Sequence, residues 1–525
     1  MTRPHRRLLA AATTLTTTAA GFLLACSPRR PEPASAVAIA MPPSAEEVGG
    51  HDTESYDRID ENRFRAARDN PVSTFSIDVD TASYANVRRF LNDERRPPQD
   101  VVRIEELVNY FHYDDPAPDG SAPLAARTEV GPCPWAPDHR LLRIGLRARS
   151  VPDRGQPARN LVFLVDVSGS MEMPNKLPLV KRSLALLVKQ LGKRDRIALV
   201  VYAGNAGQVL RPTPGNDHEA ILQALASLEA GGSTNGAQGI ELAYEMAERS
   251  FIPGGVNRVI LATDGDFNVG VSSPGELTRL IEAKREHGVF LTVLGFGMGN
   301  LKDSTMETLA DRGNGNYAYI DSFAEARKVL VEDLAGTLIT VAKDVKVQIE
   351  MNPAEVRRYR LLGYENRMLR REQFDDDRAD AGEMGAAQTV TALYEIEPAR
   401  GKASEAAKLL YQAAAVLSSA FAGGELGTLK VRYKEPTADE SRLLSWPVRD
   451  VGFALPATSS DFRFSAAVAA FGLALRTSPQ RGSATAAMAR ELAASGLGAR
   501  DADDPHKQEF LTLAAKAQAL ARGND

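Results

Sequence analysis

The sequence predicts an α/β protein. A doubly wound, Rossmann-like sheet in the middle of the chain is inserted in a β-sandwich, with a small N-terminal α/β unit before it and C-terminal helices after it. Three observations predict this. Residues 160–338 alternate apolar strands with helical segments, the pattern of a parallel sheet covered by helices on both faces. Strand-like runs without intervening helices lie on either side, in 125–150 and after Thr340. Residues 461–521 are rich in Ala and Leu and read as helical.

The chain opens differently. Arg3, Arg6 and Arg7 precede an uncharged stretch, 8–25, that ends in Leu23-Leu24-Ala25-Cys26. This is the layout of an export signal, and a Cys after Leu-Leu-Ala is similar to a bacterial lipobox. Cys26 is the expected lipidation site. A plain signal peptide or an N-terminal membrane helix is the alternative. Residues from Ser27 to about Asp69 are rich in Pro, Ala, Ser and Glu and read as a flexible tether. A linker of about 30 residues has a mean reach of about 30 Å. The second cysteine is Cys133, so acylation of Cys26 leaves no intramolecular disulfide to form.

The ordered elements follow. Strand 72–77 and helices 83–91 and 103–110 make the N-terminal unit. Leu142-Arg143-Ile144-Gly145-Leu146 is the clearest strand of 125–150. The continuous apolar run Leu161-Val162-Phe163-Leu164-Val165 reads as a buried parallel strand. Strands at 197–202, 208–212, 259–262, 289–294 and 317–320 alternate with helices at 177–191, 219–228, 240–250, 276–287, 305–311 and 323–338. Strands are expected again at 345–351, 389–396, 429–433 and 445–448. The expected boundaries are 1–26 for the signal, 27–69 for the tether and 70–124 for the N-terminal unit. They are 125–158 for the first sandwich strands, 159–339 for the central domain, 340–455 for the sandwich and 456–525 for the helices.

The chemistry gathers at one end of the central sheet. The first strand runs into Asp166-Val167-Ser168-Gly169-Ser170-Met171, and strand carboxyl ends are where ligands sit in such sheets. Gly169 is expected to permit a sharp turn between the serines. Gly231-Gly232-Ser233-Thr234-Asn235 offers the hydroxyl of Thr234. Thr263-Asp264-Gly265, after the 259–262 strand, offers the carboxylate of Asp264. All are hard oxygen donors suited to Mg²⁺ or Mn²⁺, and no His or Cys lies near to favour zinc.

Asp-x-Ser-x-Ser followed by Thr and Asp resembles the metal-ion-dependent adhesion site of von Willebrand factor A domains, over 160–338. The resemblance implies that Ser168 and Ser170 hold the ion directly. Thr234 would hold it directly or through water, and Asp166 and Asp264 largely through water. An ion with few direct carboxylates seeks an acidic oxygen from outside, so a partner Asp or Glu is the implied sixth ligand. The flanks are similar to the YfbK-type bacterial lipoproteins. These stretches are Asn70 to Tyr84, Tyr359-Arg360-Leu361-Leu362-Gly363-Tyr364-Glu365-Asn366-Arg367 and Thr389-Val390-Thr391-Ala392-Leu393-Tyr394-Glu395-Ile396.

Other signals point elsewhere or nowhere. A net charge of −5 gives no reason to expect nucleic acid, and 6% aromatic residues suggest no base-stacking platform. An EF-hand loop begun at Asp375 would need Gly at Asp380 and Glu at Ala386, so 375–377 reads as a solvated acidic loop. Gly295-Phe296-Gly297-Met298-Gly299 lacks dinucleotide spacing. No nucleophile pairs with a base. The expectation is a lipid-anchored envelope binding protein and not an enzyme, with no nucleic-acid partner. It would sit on the outer membrane facing the periplasm, or on the cell surface. A structural lipoprotein with a fold-stabilising metal, or an envelope hydrolase, are the alternatives.

Overall fold

The computed structural model describes residues 54–233, 236–265, 274–299, 301–399, 425–498, 501 and 503–522. Cys26, the signal region, the tether as far as residue 53 and Thr234 lie outside them. In chain order come β1 (Arg65–Ala66), β2 (Val72–Ser76), α1 (Ala82–Asn92), α2 (Ile104–Asn109), β3 (Leu124–Pro132) and β4 (Arg140–Ala148). The central region holds β5 (Arg159–Asp166), α3 (Leu177–Val188), β6 (Arg196–Tyr202), β7 (Ala206–Pro214), α4 (His218–Ala226) and α5 (Gly236–Arg249). It continues with β8 (Val256–Thr263), α6 (Pro274–Glu286), β9 (Phe290–Phe296), α7 (Asp303–Arg312), β10 (Tyr317–Ile320), α8 (Phe323–Arg327) and α9 (Leu334–Leu338). Then follow β11 (Thr340–Met351), β12 (Val356–Leu362), β13 (Met368–Leu369), β14 (Met384–Gly385), β15 (Thr389–Pro398), β16 (Glu425–Lys434) and β17 (Ser441–Arg449). The helices α10 (Ser460–Leu475), α11 (Ala486–Gly496) and α12 (Pro505–Arg522) close the described chain.

The central sheet has the order β10-β9-β8-β5-β6-β7, all parallel except the edge strand β7. The chain moves one way from β5 through β6, then restarts at β8 and moves the other way. The carboxyl ends of β5 and β8 therefore flank the switch point, where such sheets leave a crevice. Along β5, Leu161, Phe163 and Val165 pack into one apolar layer and Val162 and Leu164 into the other. That alternation, with both faces buried, is why the run has no polar residue. The chain enters this sheet at the amino end of β5 and leaves through α9 into β11. Thr337 and Thr340 line a cavity there with Arg258 and Asn316, which lie at the amino ends of β8 and β10. Both junctions are thus at the end away from Asp166.

Two antiparallel sheets, β1-β12-β15-β4-β3 and β13-β2-β11-β16-β17, face each other across a shared core. Phe75 and Tyr394 meet at 6.4 Å between ring centroids, and the Tyr394 hydroxyl donates to Ser73 Oγ at 3.0 Å. Segment 125–150 pairs with a strand beyond Thr340 through β4 and β15, in register from Arg140↔Ile396 to Arg147↔Thr389. Arg143 on β4 is bound to Asp115 at 2.7 Å with both side chains about 1% exposed. Gly145 leaves room for that carboxylate, since a Cβ there would stand 2.2 Å from Asp115 Oδ1.

Several expected features differ. Residues 54–69 do not all belong to a tether: Glu54 binds Arg89 at 2.8 Å and β1 pairs with β12. Residues 70–124 form no separate unit. β2 pairs with β11 inside the second sheet, while α1 packs on the central domain through Ala82 and Ala85. Arg88 binds Glu325 at 2.7 Å, which ties α1 to the same domain. The expected 323–338 helix is α8, a π turn at Lys328–Glu332, and α9. In that turn the buried Lys328 binds Asp333 at 2.5 Å. β12 gave no strand signal because its start carries two consecutive exposed charges, Arg357 and Arg358, which break the alternation. The C-terminal helices pack on α2 as well as on one another. α10 is apolar all round and is buried by α2, α11 and α12, with Phe471 and Phe510 rings 5.2 Å apart. Among the described residues no helix is long and apolar enough to cross a membrane.

Candidate metal centre

The site grows from the end of β5. Asp166 is the last residue of the strand, paired with Tyr202 on β6, and is fully buried. The chain then turns sharply. The backbone N–H of Ser168 donates to Asp166 Oδ1 at 2.8 Å, closing an Asx turn. Residues 169–172 coil into a short 3₁₀ turn, which places the hydroxyls of Ser168 and Ser170 3.1 Å apart. Ser168 is buried and Ser170 exposed, so the pair spans the boundary between core and solvent. Gly169 stands in this sharp turn without adopting a left-handed conformation. Its N–H instead donates to the carbonyl of Gly232 at 3.1 Å.

That bond brings in the second loop. Gly231 N–H also donates to the Val167 carbonyl at 2.7 Å. Gly231 and Gly232 are thereby stitched to the Asp166–Ser170 turn. Thr234, the expected hydroxyl ligand, lies just beyond, outside the described residues. Gly239 serves this end too. A Cβ at Gly239 would stand 2.8 Å from Tyr202 Cβ, so glycine lets α5 close against the strand beside Asp166.

The third piece is Asp264, directly after β8 and fully buried. Thr263, one residue earlier, donates its hydroxyl to Asp166 Oδ2 at 3.3 Å. Asp166, Ser168, Ser170 and Asp264 are therefore brought to one end of the sheet by the carboxyl ends of two adjacent strands, β5 and β8. Burial raises the Asp166 carboxyl to about 6, the Ser168 hydrogen bonds oppose this, and the nearby Asp264 charge adds to it.

One participant was missed by sequence reasoning. Lys176 is buried, and its ammonium donates to Asp264 Oδ2 at 2.8 Å. A signal existed. Lys176 stands immediately before α3, where a cation meets the positive end of a helix dipole and needs a countercharge.

The donor set fits a hard divalent cation. It offers two hydroxyl oxygens in contact range and two desolvated carboxylates, one of them, Asp264, paired with an ammonium. Among the described residues no three His, Cys, Asp or Glu side chains are placed to hold a metal ion together, and this set is of the hydroxyl-rich kind, unlike zinc or calcium cages.

Comparison with known proteins sets this site in context. The family model described as "von Willebrand factor type A domain" matches residues 160–332, and one described as "von Willebrand factor" matches 50–143. A third, described as "Uncharacterized protein YfbK, C-terminal", matches 336–520. Protein YfbK of Escherichia coli (strain K12) is 43% identical over 500 residues, covering 94% of this chain and 86% of that one. The inter-alpha-trypsin inhibitor heavy chain H3 of Homo sapiens is 29% identical over 194 residues, 35% of this chain and 22% of its own. Among solved structures, the von Willebrand factor type A from Catenulispora acidiphila has a TM-score of 0.41 and 15% identity, over 74% of this chain and 88% of that one. Residues 160–332 thus form a von Willebrand factor type A domain, a fold of protein interaction and adhesion. With the flanks and the central domain both matched, the chain belongs to the YfbK family of von Willebrand factor type A domain proteins.

Proposed function

We propose that this chain is a binding protein of the bacterial cell envelope, lipid-anchored through Cys26, and not an enzyme. It grips an Asp or Glu of a protein partner through Mg²⁺ or Mn²⁺ held by Asp166, Ser168, Ser170, Thr234 and Asp264. The observation that carries this reading is the pair of serine hydroxyls 3.1 Å apart beside two buried carboxylates. When bound, the ion supplies an open position for an oxygen ligand from outside. The residues set its charge. Two carboxylates and the Lys176 ammonium sum to one negative unit, which leaves one unit of a divalent cation's positive charge unneutralised. An incoming carboxylate completes that balance. Exposed Met173 and Met298 lie on loops at the same end of the sheet and offer an adaptable apolar rim.

The test is a pull-down from envelope extract with the full chain as bait. Capture should disappear in chelator, return with Mg²⁺ or Mn²⁺, and be absent for the Ser168→Ala/Ser170→Ala double variant while its melting temperature in chelator stays unchanged. Partner capture that survives both treatments refutes the metal reading. Cys26→Ser should release the protein from the membrane fraction; retention there would refute the lipid anchor.

A further inference from the structure

The opposite end of the central sheet holds a second feature. A cavity of about 320 Å³ lies between the amino ends of β8–β10 and the antiparallel sheets. Arg258, third residue of β8, lines it and is 2% exposed. Its guanidinium donates one hydrogen bond, from Nη1 to Thr292 Oγ1 at 2.6 Å. Its Nε has no partner. No carboxylate lies within ion-pair distance among the described residues. A desolvated cation left with most of its donors unused is costly, and native structures seldom keep one without a reason. Burial lowers its pKa to about 10, against the pull of Glu383.

Glu383 is the complementary anomaly on the same wall. It accepts from the Thr340 hydroxyl at 2.7 Å and from the Asn314 amide at 3.2 Å, both neutral donors, and no cation binds it. The other charged residues of the cavity each have an ion-pair partner. Arg312 binds Glu282, Asp380 binds Arg285, and Arg367 binds both Asp311 and Asp78. Among the described residues, Arg258 and Glu383 are therefore the one cation and one anion of the lining without such a partner, and they stand too far apart to pair with each other.

We propose that this cavity binds a small zwitterion, an α-amino acid, with its carboxylate on the open donors of Arg258 and its ammonium on Glu383. A guanidinium fork matches a planar carboxylate. A phosphate dianion would meet Glu383 with a surplus charge, whereas a zwitterion cancels both unmatched groups at once. The cavity has the size of small-ligand sites. The site is separate from the metal centre. Arg258 and Asp264 are six residues apart on one strand path, about 20 Å at strand rise.

The test is calorimetric titration of the full chain with each of the common L-α-amino acids. Propionate and propylamine serve as single-charge controls. At least one amino acid should bind with both controls silent, and Arg258→Met and Glu383→Gln should each weaken it by about tenfold or more. Glu383→Gln keeps the Thr340 contact, so it decides the matter if Arg258→Met does not fold. Binding of no amino acid overturns the proposal. So does propionate binding as tightly as the amino acid, or an amino acid affinity untouched by Glu383→Gln.

Discussion

Replacing Lys176 with Met should make the chain less stable without metal and bind Mg²⁺ more tightly. Lys176 Nζ stands 2.8 Å from Asp264 Oδ2, with the two side chains 5% and 0% exposed. Removing one member of a buried ion pair costs about 3–5 kcal/mol, because the other charge stays behind in a poor solvent. Met preserves the stem that packs on Gly297, where a Cβ would stand 2.4 Å from Lys176 Cε. The loss is then mainly electrostatic. A divalent cation that becomes the countercharge of Asp264 recovers that free energy on binding. By linkage, recovery of about 3 kcal/mol tightens the apparent Mg²⁺ affinity by about 100-fold. The assay is a thermal melt in chelator and across a Mg²⁺ titration, with Kd from calorimetry. Lys176→Met should melt lower in chelator and gain more from Mg²⁺ than the natural chain. Mg²⁺ binding no tighter than in the natural chain would refute the argument that Lys176 sets the charge of the site.

Three further outcomes follow from buried groups away from that site. Burial raises the Asp303 carboxyl from its ordinary 3.8 to about 6, against Arg103 and with Glu307 adding to it. The folded chain thus holds this proton more tightly than the unfolded chain. Its stabilising contribution is present below the ordinary value and lost as pH rises through about 6. Asp303→Asn keeps an acceptor for the Tyr317 hydroxyl, so its melting temperature should fall less than that of the natural chain between about pH 4 and about pH 7; parallel curves would contradict this. Asp115→Ala strands Arg143 inside the β4 sheet and should cost about 3–5 kcal/mol in denaturant unfolding, with a loss under about 1 kcal/mol counting against the pair. Phe510→Ala opens the contact of α12 with Phe471, Phe464 and Phe111 and should cost about 3–5 kcal/mol. Amide exchange should then rise first in α12, and uniform protection would argue against local undocking.

The central sheet was legible because a parallel strand buried on both faces must be a continuous apolar run, as 161–165 is. That Asp166, Ser168, Ser170 and Asp264 would gather at one end of the sheet was legible for a related reason: they directly follow such runs, and strand carboxyl ends converge at the switch point. What escaped was long-range. Nothing local says that β2 pairs with β11, 272 residues on, at Phe75↔Val347. Nothing local says that 54–66 clasps the body, because its contacts are single side chains such as Glu54 on Arg89 and one two-residue strand, rather than a periodic face. Lys176 escaped because a lone lysine is nearly always solvated, and its burial depends on Asp264, 88 residues on.

The position of β5 bears on force as well as on binding. Ser168 follows β5 by two residues, and the covalent path back to the antiparallel sheets leaves β5 at its far end. A pull at Ser168 therefore runs lengthwise down the strand. β5 is held by seven parallel residue pairs to β6 and seven to β8. Tension along that axis loads both ladders in shear, with all of those pairs resisting together, where a pull from the sheet edge would peel them one at a time. The same strand that presents the serine hydroxyls is thus the one best placed to carry mechanical load through the domain.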